Sequence, residues 1–248
     1  MSELVVCSFF WIDPARRRSV QLTPEDVRIW DRMIERNLTV PHRRVCVTHR
    51  PDLIDFMPTL SLDPEKHVPG TCCVKLQAHK VGGVAKEGDR VLLMDIDCVV
   101  TGSLDQIARR EEPAVWWTNP NFEVGGRRGF IQGSLQLFTV GATTFLHSDF
   151  DPRTTPGVYN RRFGGAEQAW ISERMNTAYP DPGWEWDVPT FTDADGVYGA
   201  GRLFNGRMDN GVQSELPENA RIVFFPGDRS PTQPEVQAQH PWIARHFY

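Results

Sequence analysis

Nothing in the sequence is long and apolar enough to cross a bilayer. The N-terminal run "LVVCSFFWI" is far short of the roughly 20 residues a membrane helix needs, and no basic leader precedes it. There is no CxxC, which argues against a zinc ribbon or a dithiol redox centre, and no H-E-x-x-H among the seven histidines. Internal repeats and low-complexity tracts are missing too, and no linker divides the chain. The five cysteines, Cys7, Cys46, Cys72, Cys73 and Cys98, are odd in number, and three of them stand in apolar runs. That pattern fits reduced, buried thiols and a cytoplasmic protein rather than a disulfide scaffold. A net charge of −5 argues against a dedicated nucleic-acid binder. The pairs and triplets Arg16–Arg18, Arg43–Arg44, Arg127–Arg128 and Arg161–Arg162 read as solvated faces.

What remains is a chain of 248 residues with ordinary apolar and charged fractions, expected to form a single domain over 1–248. "ELVVCSFFWI" reads as a first strand. Thr23-Pro24-Glu25-Asp26 has the pattern of a helix start: Thr at the N-cap, Pro next, acids in the first turn. Val27, Trp30, Ile34 and Leu38 mark its buried face. "RRVCVTH" follows as a second strand, so the opening is a parallel strand–helix–strand unit. Between Pro51 and Gly70 four prolines are expected to break up any regular element. "CCVKLQAHKV" has helical spacing, and "TGSLDQIARR" reads as a turn with a short helix. "PAVWWTN" and "GFIQGSLQLFTV" read as strands, and "GGAEQAWISERMN" as a helix. Residues 180–219 read as a cap-like binding region or a set of short irregular strands. "ARIVFFPGD" is a last strand and "HPWIARHFY" a tail or helix.

The most informative stretch is "DRVLLMDIDCVVTG". Its run Val91–Met94 is apolar and short enough for a core strand of a parallel sheet, yet two aspartates, Asp95 and Asp97, follow at once. Residues two apart on a strand share a face, about 6–7 Å from each other. Two ionised carboxylates so placed repel, and burying both without compensation is very costly. A positive partner is therefore expected. A hard divalent cation such as Mg²⁺ or Mn²⁺ is the simplest, with waters and substrate phosphates completing its shell.

"RVLLMDIDCVVTGSLDQI" resembles the D-x-D segment of GT-A fold, nucleotide-sugar-dependent glycosyltransferases, most closely family 8 and related bacterial sequences. The resemblance implies a mixed, mostly parallel α/β sheet flanked by helices. It also implies transfer of a sugar from a nucleoside-diphosphate sugar, a UDP-sugar favoured, to an acceptor hydroxyl, with retention of configuration. Asp95 and Asp97 would hold Mn²⁺ or Mg²⁺. "CVKLQAH" is similar to a Lys-Leu segment that places Lys75 against the donor, and "GFIQGSLQLF" puts Gln132 at an amide position. "GGAEQAWIS" resembles an acid-Gln segment, with Glu167 on sugar hydroxyls and Gln168 near the anomeric carbon. "RIVFFPGDRSP" and "HPWIARHFY" are similar to the closing strand and the Pro-Trp tail.

The chain departs from that pattern near its end. Phe224 stands where many members have a metal-binding histidine, and Phe225 and Pro226 offer no ligand. Asp228 is then the remaining acid within reach. Ser230 replaces a lysine, leaving Arg229 as the candidate clamp on departing phosphate. Trp184 and Trp186 are candidates for stacking on an acceptor sugar, whereas Trp116 and Trp117 read as core. The nucleoside is expected against Ser8–Asp13. Two other readings stay open: a GT-A-like domain that binds a nucleotide sugar without turnover, and a haloacid dehalogenase-type phosphatase. In the latter, the first aspartate would be the nucleophile.

Overall fold

The structure is a computed structural model. It describes residues 2–12, 21–66, 68–69, 71–124, 127–155, 166–176, 189–200, 215–225 and 229–248, with backbone alone over 119–124, 127–130, 166 and 176.

The first strand, β1 (Leu4–Phe10), is buried along its whole length, as a central parallel strand should be. Helix α1 (Pro24–Asn37) starts where the sequence indicates. Thr23 and Asp26 form a reciprocal capping box, and Val27, Trp30 and Ile34 face inward. Strand β2 (Arg43–Thr48) then pairs in parallel with β1. The proline-rich stretch is more ordered than its composition suggests. It holds two 3-10 turns and a three-residue strand, β3 (Thr59–Ser61), which pairs in parallel with β2 at the sheet edge. Three residues are short enough to fit between prolines, and an edge strand needs a ladder on one side only.

Strand β4 (Arg90–Met94) returns to the other side of β1 and pairs with it in parallel. After the short β5 (Cys98–Val100) and helix α2 (Asp105–Ala108), a long antiparallel hairpin follows, β6 (Ala114–Val124) with β7 (Arg127–Thr139). Helices α3 (Phe145–Ser148) and α4 (Ala166–Asn176) come next. Strand β8 (Thr190–Phe191) pairs in parallel with β6, completing a seven-stranded sheet of order β3-β2-β1-β4-β7-β6-β8. In it only β7 opposes the common direction. A second sheet joins β5, β10 (Ile222–Phe224) and β9 (Val197–Gly199). Two short helices, α5 (Pro234–Gln239) and α6 (Ile243–His246), close the chain. No helix among the described residues is long and apolar enough to cross a membrane.

The mixed α/β architecture agrees with the expectation from sequence. One local difference concerns "CCVKLQAH": Cys73–His79 is a 3-10 helix rather than an α-helix, with all seven residues buried. Trp116 and Trp117 are core residues, 0% and 3% exposed. Trp184, Trp186, Pro226 and Asp228 lie outside the described residues, as do Arg16–Arg18, Arg161–Arg162 and Asp13.

The strand order carries the functional consequence. From β1 the chain moves outward through β2 to β3, then jumps back to lay β4 on β1's opposite flank. The order reverses between β1 and β4, and open α/β sheets bind ligands at the C-terminal strand ends beside such a reversal. Asp95 is the residue immediately after β4.

Candidate active site at the end of the fourth strand

The two aspartates do not sit on one face of a strand. The ladder to β7 reaches Asp95, whose N–H donates to the Ser134 carbonyl at 2.9 Å. The chain then bends through Ile96 and Asp97, and the Cys98 N–H closes a three-residue turn on the Ile96 carbonyl at 2.8 Å. This bend hands the chain from the large sheet to the small one. Asp97 is 7% exposed, and its carbonyl accepts from the Phe225 N–H at 2.9 Å. The end of β10 is thereby fixed beside the second aspartate.

The nearest cation to Asp95 is internal. Lys75 Nζ lies 2.5 Å from Asp95 Oδ1 and 3.9 Å from Glu167 Oε2. Burial disfavours the Lys75 ammonium, but Asp95 and Glu167 together outweigh it and hold the lysine pKa above its ordinary value. The positive partner demanded by the sequence is therefore supplied in part by the chain itself. Lys75, the lysine expected to meet the donor, is paired with the first aspartate. With every group ionised, Lys75 carries one positive charge against the three carboxylates of Asp95, Asp97 and Glu167, a formal −2.

Glu167 occupies the first turn of α4, yet its carboxylate does more than offset the helix dipole. It is 2% exposed and rests on the backbone of Gly133. A β-carbon at Gly133 would lie 2.6 Å from Glu167 Oε1 and 2.7 Å from Oε2, so only glycine admits the carboxylate here. The strand is shaped for this contact. Trp116 pairs with Gln136 but Trp117 with Gln132, so residues 133–135 of β7 bulge away from β6. α4 is tied to the same strand by the Ser172 hydroxyl, which accepts from the Ile131 N–H at 3.2 Å.

Gln168 Nε2 donates to Gln132 Oε1 at 3.4 Å, joining the two predicted amides. Lys75, Asp95, Gln132, Glu167 and Gln168 thus converge from four separate stretches of chain. Arg229 is placed by different surroundings, within electrostatic reach of His240, whose pKa burial first and then Arg229 lower to about 4.

Three residues at this site carried no sequence signal of their own: Gly133, Gln136 and His79. Gln136 is 0% exposed and donates to Glu167 Oε1 at 3.4 Å and to the Gly133 carbonyl at 3.1 Å. His79 Nε2 lies 3.1 Å from Gln136 Oε1, and Nδ1 lies 2.9 Å from Thr143 Oγ1. The imidazole stacks on Phe138 at 4.2 Å, and burial lowers its pKa to about 3.

Where many relatives by resemblance have a metal-binding histidine, the side chains point into the core. Phe224 stacks on Trp117 at 4.9 Å, and Phe225 packs against Trp242 and His240. Among the described residues no three His, Cys, Asp or Glu side chains form a metal cluster. Two carboxylates still suit Mg²⁺ or Mn²⁺ when substrate phosphates and water complete the shell. The formal −2 of the site matches such an ion in charge.

The fold built around this site is that of GT-A glycosyltransferases. Two solved structures share it: a galactosyltransferase, LgtC, in complex with donor and acceptor sugar analogs, and an active-site glutamine-to-glutamate mutant of LgtC. The first is 10% identical, with a TM-score of 0.60 over 94% of this chain and 91% of that one. The second is also 10% identical, with a TM-score of 0.61 over 97% and 93%. No family model and no curated protein matches the sequence.

Proposed function

We propose that this protein is a glycosyltransferase that moves a sugar from a nucleoside-diphosphate sugar, a UDP-sugar favoured, to an acceptor hydroxyl. The observation that carries the reading is the convergence of Lys75, Asp95, Glu167, Gln132 and Gln168 beside the strand-order reversal of a GT-A fold. The single unit of 248 residues would hold the donor over the C-terminal ends of β1 and β4. Five free cysteines, four of them buried, support a reducing, cytoplasmic setting.

Asp95 and Asp97 would hold Mn²⁺ or Mg²⁺, which when bound supplies neutralisation of the diphosphate leaving group. Lys75 holds the Asp95 carboxylate in place through their 2.5 Å ion pair. Glu167, fixed on Gly133, presents its carboxylate to hydroxyls of the donor sugar. Gln168 brings an uncharged amide near the anomeric carbon, where it stabilises developing positive charge without forming a covalent bond. Gln132 orients that amide. Arg229 is the candidate partner of departing phosphate oxygens. The acceptor hydroxyl attacks the anomeric carbon as the nucleoside diphosphate leaves, and a leaving phosphate oxygen takes the hydroxyl proton, with retention of configuration.

The test is incubation with Mn²⁺ and a panel of UDP-, GDP- and CMP-sugars, following slow donor hydrolysis. Hydrolysis that disappears in Asp97→Asn supports transfer chemistry, and NMR of a transfer product reads the anomeric configuration. Phe224 at the position where the resemblance places a histidine favours one alternative, donor binding without turnover, and saturable binding with no hydrolysis would establish it. Phosphomonoester cleavage without nucleotide binding would replace both readings with a phosphatase.

A further inference from the structure

We infer that Gln136 and His79 form a positioning pair for the proposed transfer: a chain of oriented hydrogen bonds through the sheet that fixes the Glu167 carboxylate at the donor site. The inference rests on the transferase reading and adds to it two residues that touch no substrate.

The direction of every bond in this chain is determined. Gln136 Nε2 faces two acceptors, the Gly133 carbonyl and Glu167 Oε1, so the NH₂ end of the amide points to the site. Its oxygen must then face His79. An amide oxygen only accepts, so His79 Nε2 carries the proton. The neutral ring leaves Nδ1 as an acceptor, and the Thr143 hydroxyl is the donor it meets. Burial keeps the ring neutral, and the stack on Phe138 holds its plane. Threonine, imidazole and amide thus settle one another's orientation, and the last donor of the series lands on the carboxylate.

Glu167 lies against the bare backbone of Gly133, and Lys75 Nζ lies 3.9 Å from its Oε2. Gln136 is a neutral donor to Oε1, placed at 3.4 Å from the side of the sheet. A fully buried glutamine in the middle of a sheet is otherwise hard to account for, since amides are seldom placed there without such use.

The experiment compares wild type with Gln136→Met, Thr143→Val and Thr143→Ser, measuring donor turnover, nucleoside-diphosphate affinity by calorimetry, and the ¹⁵N shifts of His79. Gln136→Met keeps the volume but neither donates nor accepts. Thr143→Val keeps the shape and drops the hydroxyl. The expected result is a protonated Nε2 in wild type, and kcat about ten- to a hundredfold lower in Gln136→Met and Thr143→Val. Thr143→Ser should recover most of the rate, and affinity for the nucleoside diphosphate alone should stay within about twofold in all variants. A purely packing role would favour valine, which keeps the threonine shape, over serine, which loses the methyl group. A valine rate equal to or above the serine rate, wild-type kcat in Gln136→Met, or a proton on Nδ1 would each overturn the inference. Failure of the underlying transferase reading looks different: wild type itself would turn over no nucleotide sugar, and the inference would fall with it.

Discussion

Lys75 and Asp95 meet at 2.5 Å at the end of the central sheet, and the lysine side chain is only 5% exposed. The first aspartate is thereby paired with a buried cation from the 3-10 helix Cys73–His79. Asp97, two residues on, lies across a bend that carries the chain toward the second sheet.

Replacing Lys75 by Met leaves Asp95 and Glu167 facing each other without their common counter-ion. Removing one member of a buried pair costs about 3–5 kcal/mol. Urea unfolding of Lys75→Met is expected to show a loss in that range. Adding Glu167→Gln removes one of the stranded charges, so the double variant should be more stable than Lys75→Met alone.

Gly133→Ala places a methyl group within 2.6–2.9 Å of the Glu167 carboxylate. The carboxylate is the end of a side chain and can rotate away, so the stability loss should be about 1–2 kcal/mol. Donor hydrolysis should fall further, about tenfold or more, because the displaced group is the one proposed to meet the sugar. A rate loss no larger than the stability loss implies would remove Glu167 from the site.

Asp97→Asn removes one of two candidate metal ligands without touching Lys75. Donor turnover is expected to drop by about a hundredfold or more, and chelation of divalent cations should reduce wild type to the same level. Metal titration by calorimetry in the presence of a nucleoside diphosphate checks the ligand role directly.

His79 gives a pH signature of stability. Its folded pKa is about 3, against an unfolded value of about 6.5. Between those values the unfolded chain binds a proton that the native ring refuses, so stability falls as pH drops below 6.5. Compared with His79→Gln, wild type should lose up to about 1.4 kcal/mol more per pH unit between pH 6 and 4.5. Denaturant midpoints across that range measure the difference.

Much of this site was legible in the sequence for identifiable reasons. The apolar run Val91–Met94 marked the strand, and the acids after it marked an edge, because charge at that position needs compensation. Glu167, Gln168 and Gln132 were found through resemblance, and the structure does bring them together. The bend at Ile96–Asp97 was not legible, since alternation describes a strand but not the point where it leaves one sheet for another. Nor was Gln136, which looks like a polar interruption of a core strand until its partners are known. β3 was missed because prolines hide a three-residue edge strand. His79 was passed over because its partners, Gln136 and Thr143, are 57 and 64 residues away.

The stitch between the Phe225 amide and the Asp97 carbonyl has a mechanical meaning. β5 and β10 zip together just beyond it, so the late chain and the second aspartate behave as one lever. A substitution that loosens Phe225 is therefore expected to be felt at Asp97 as well.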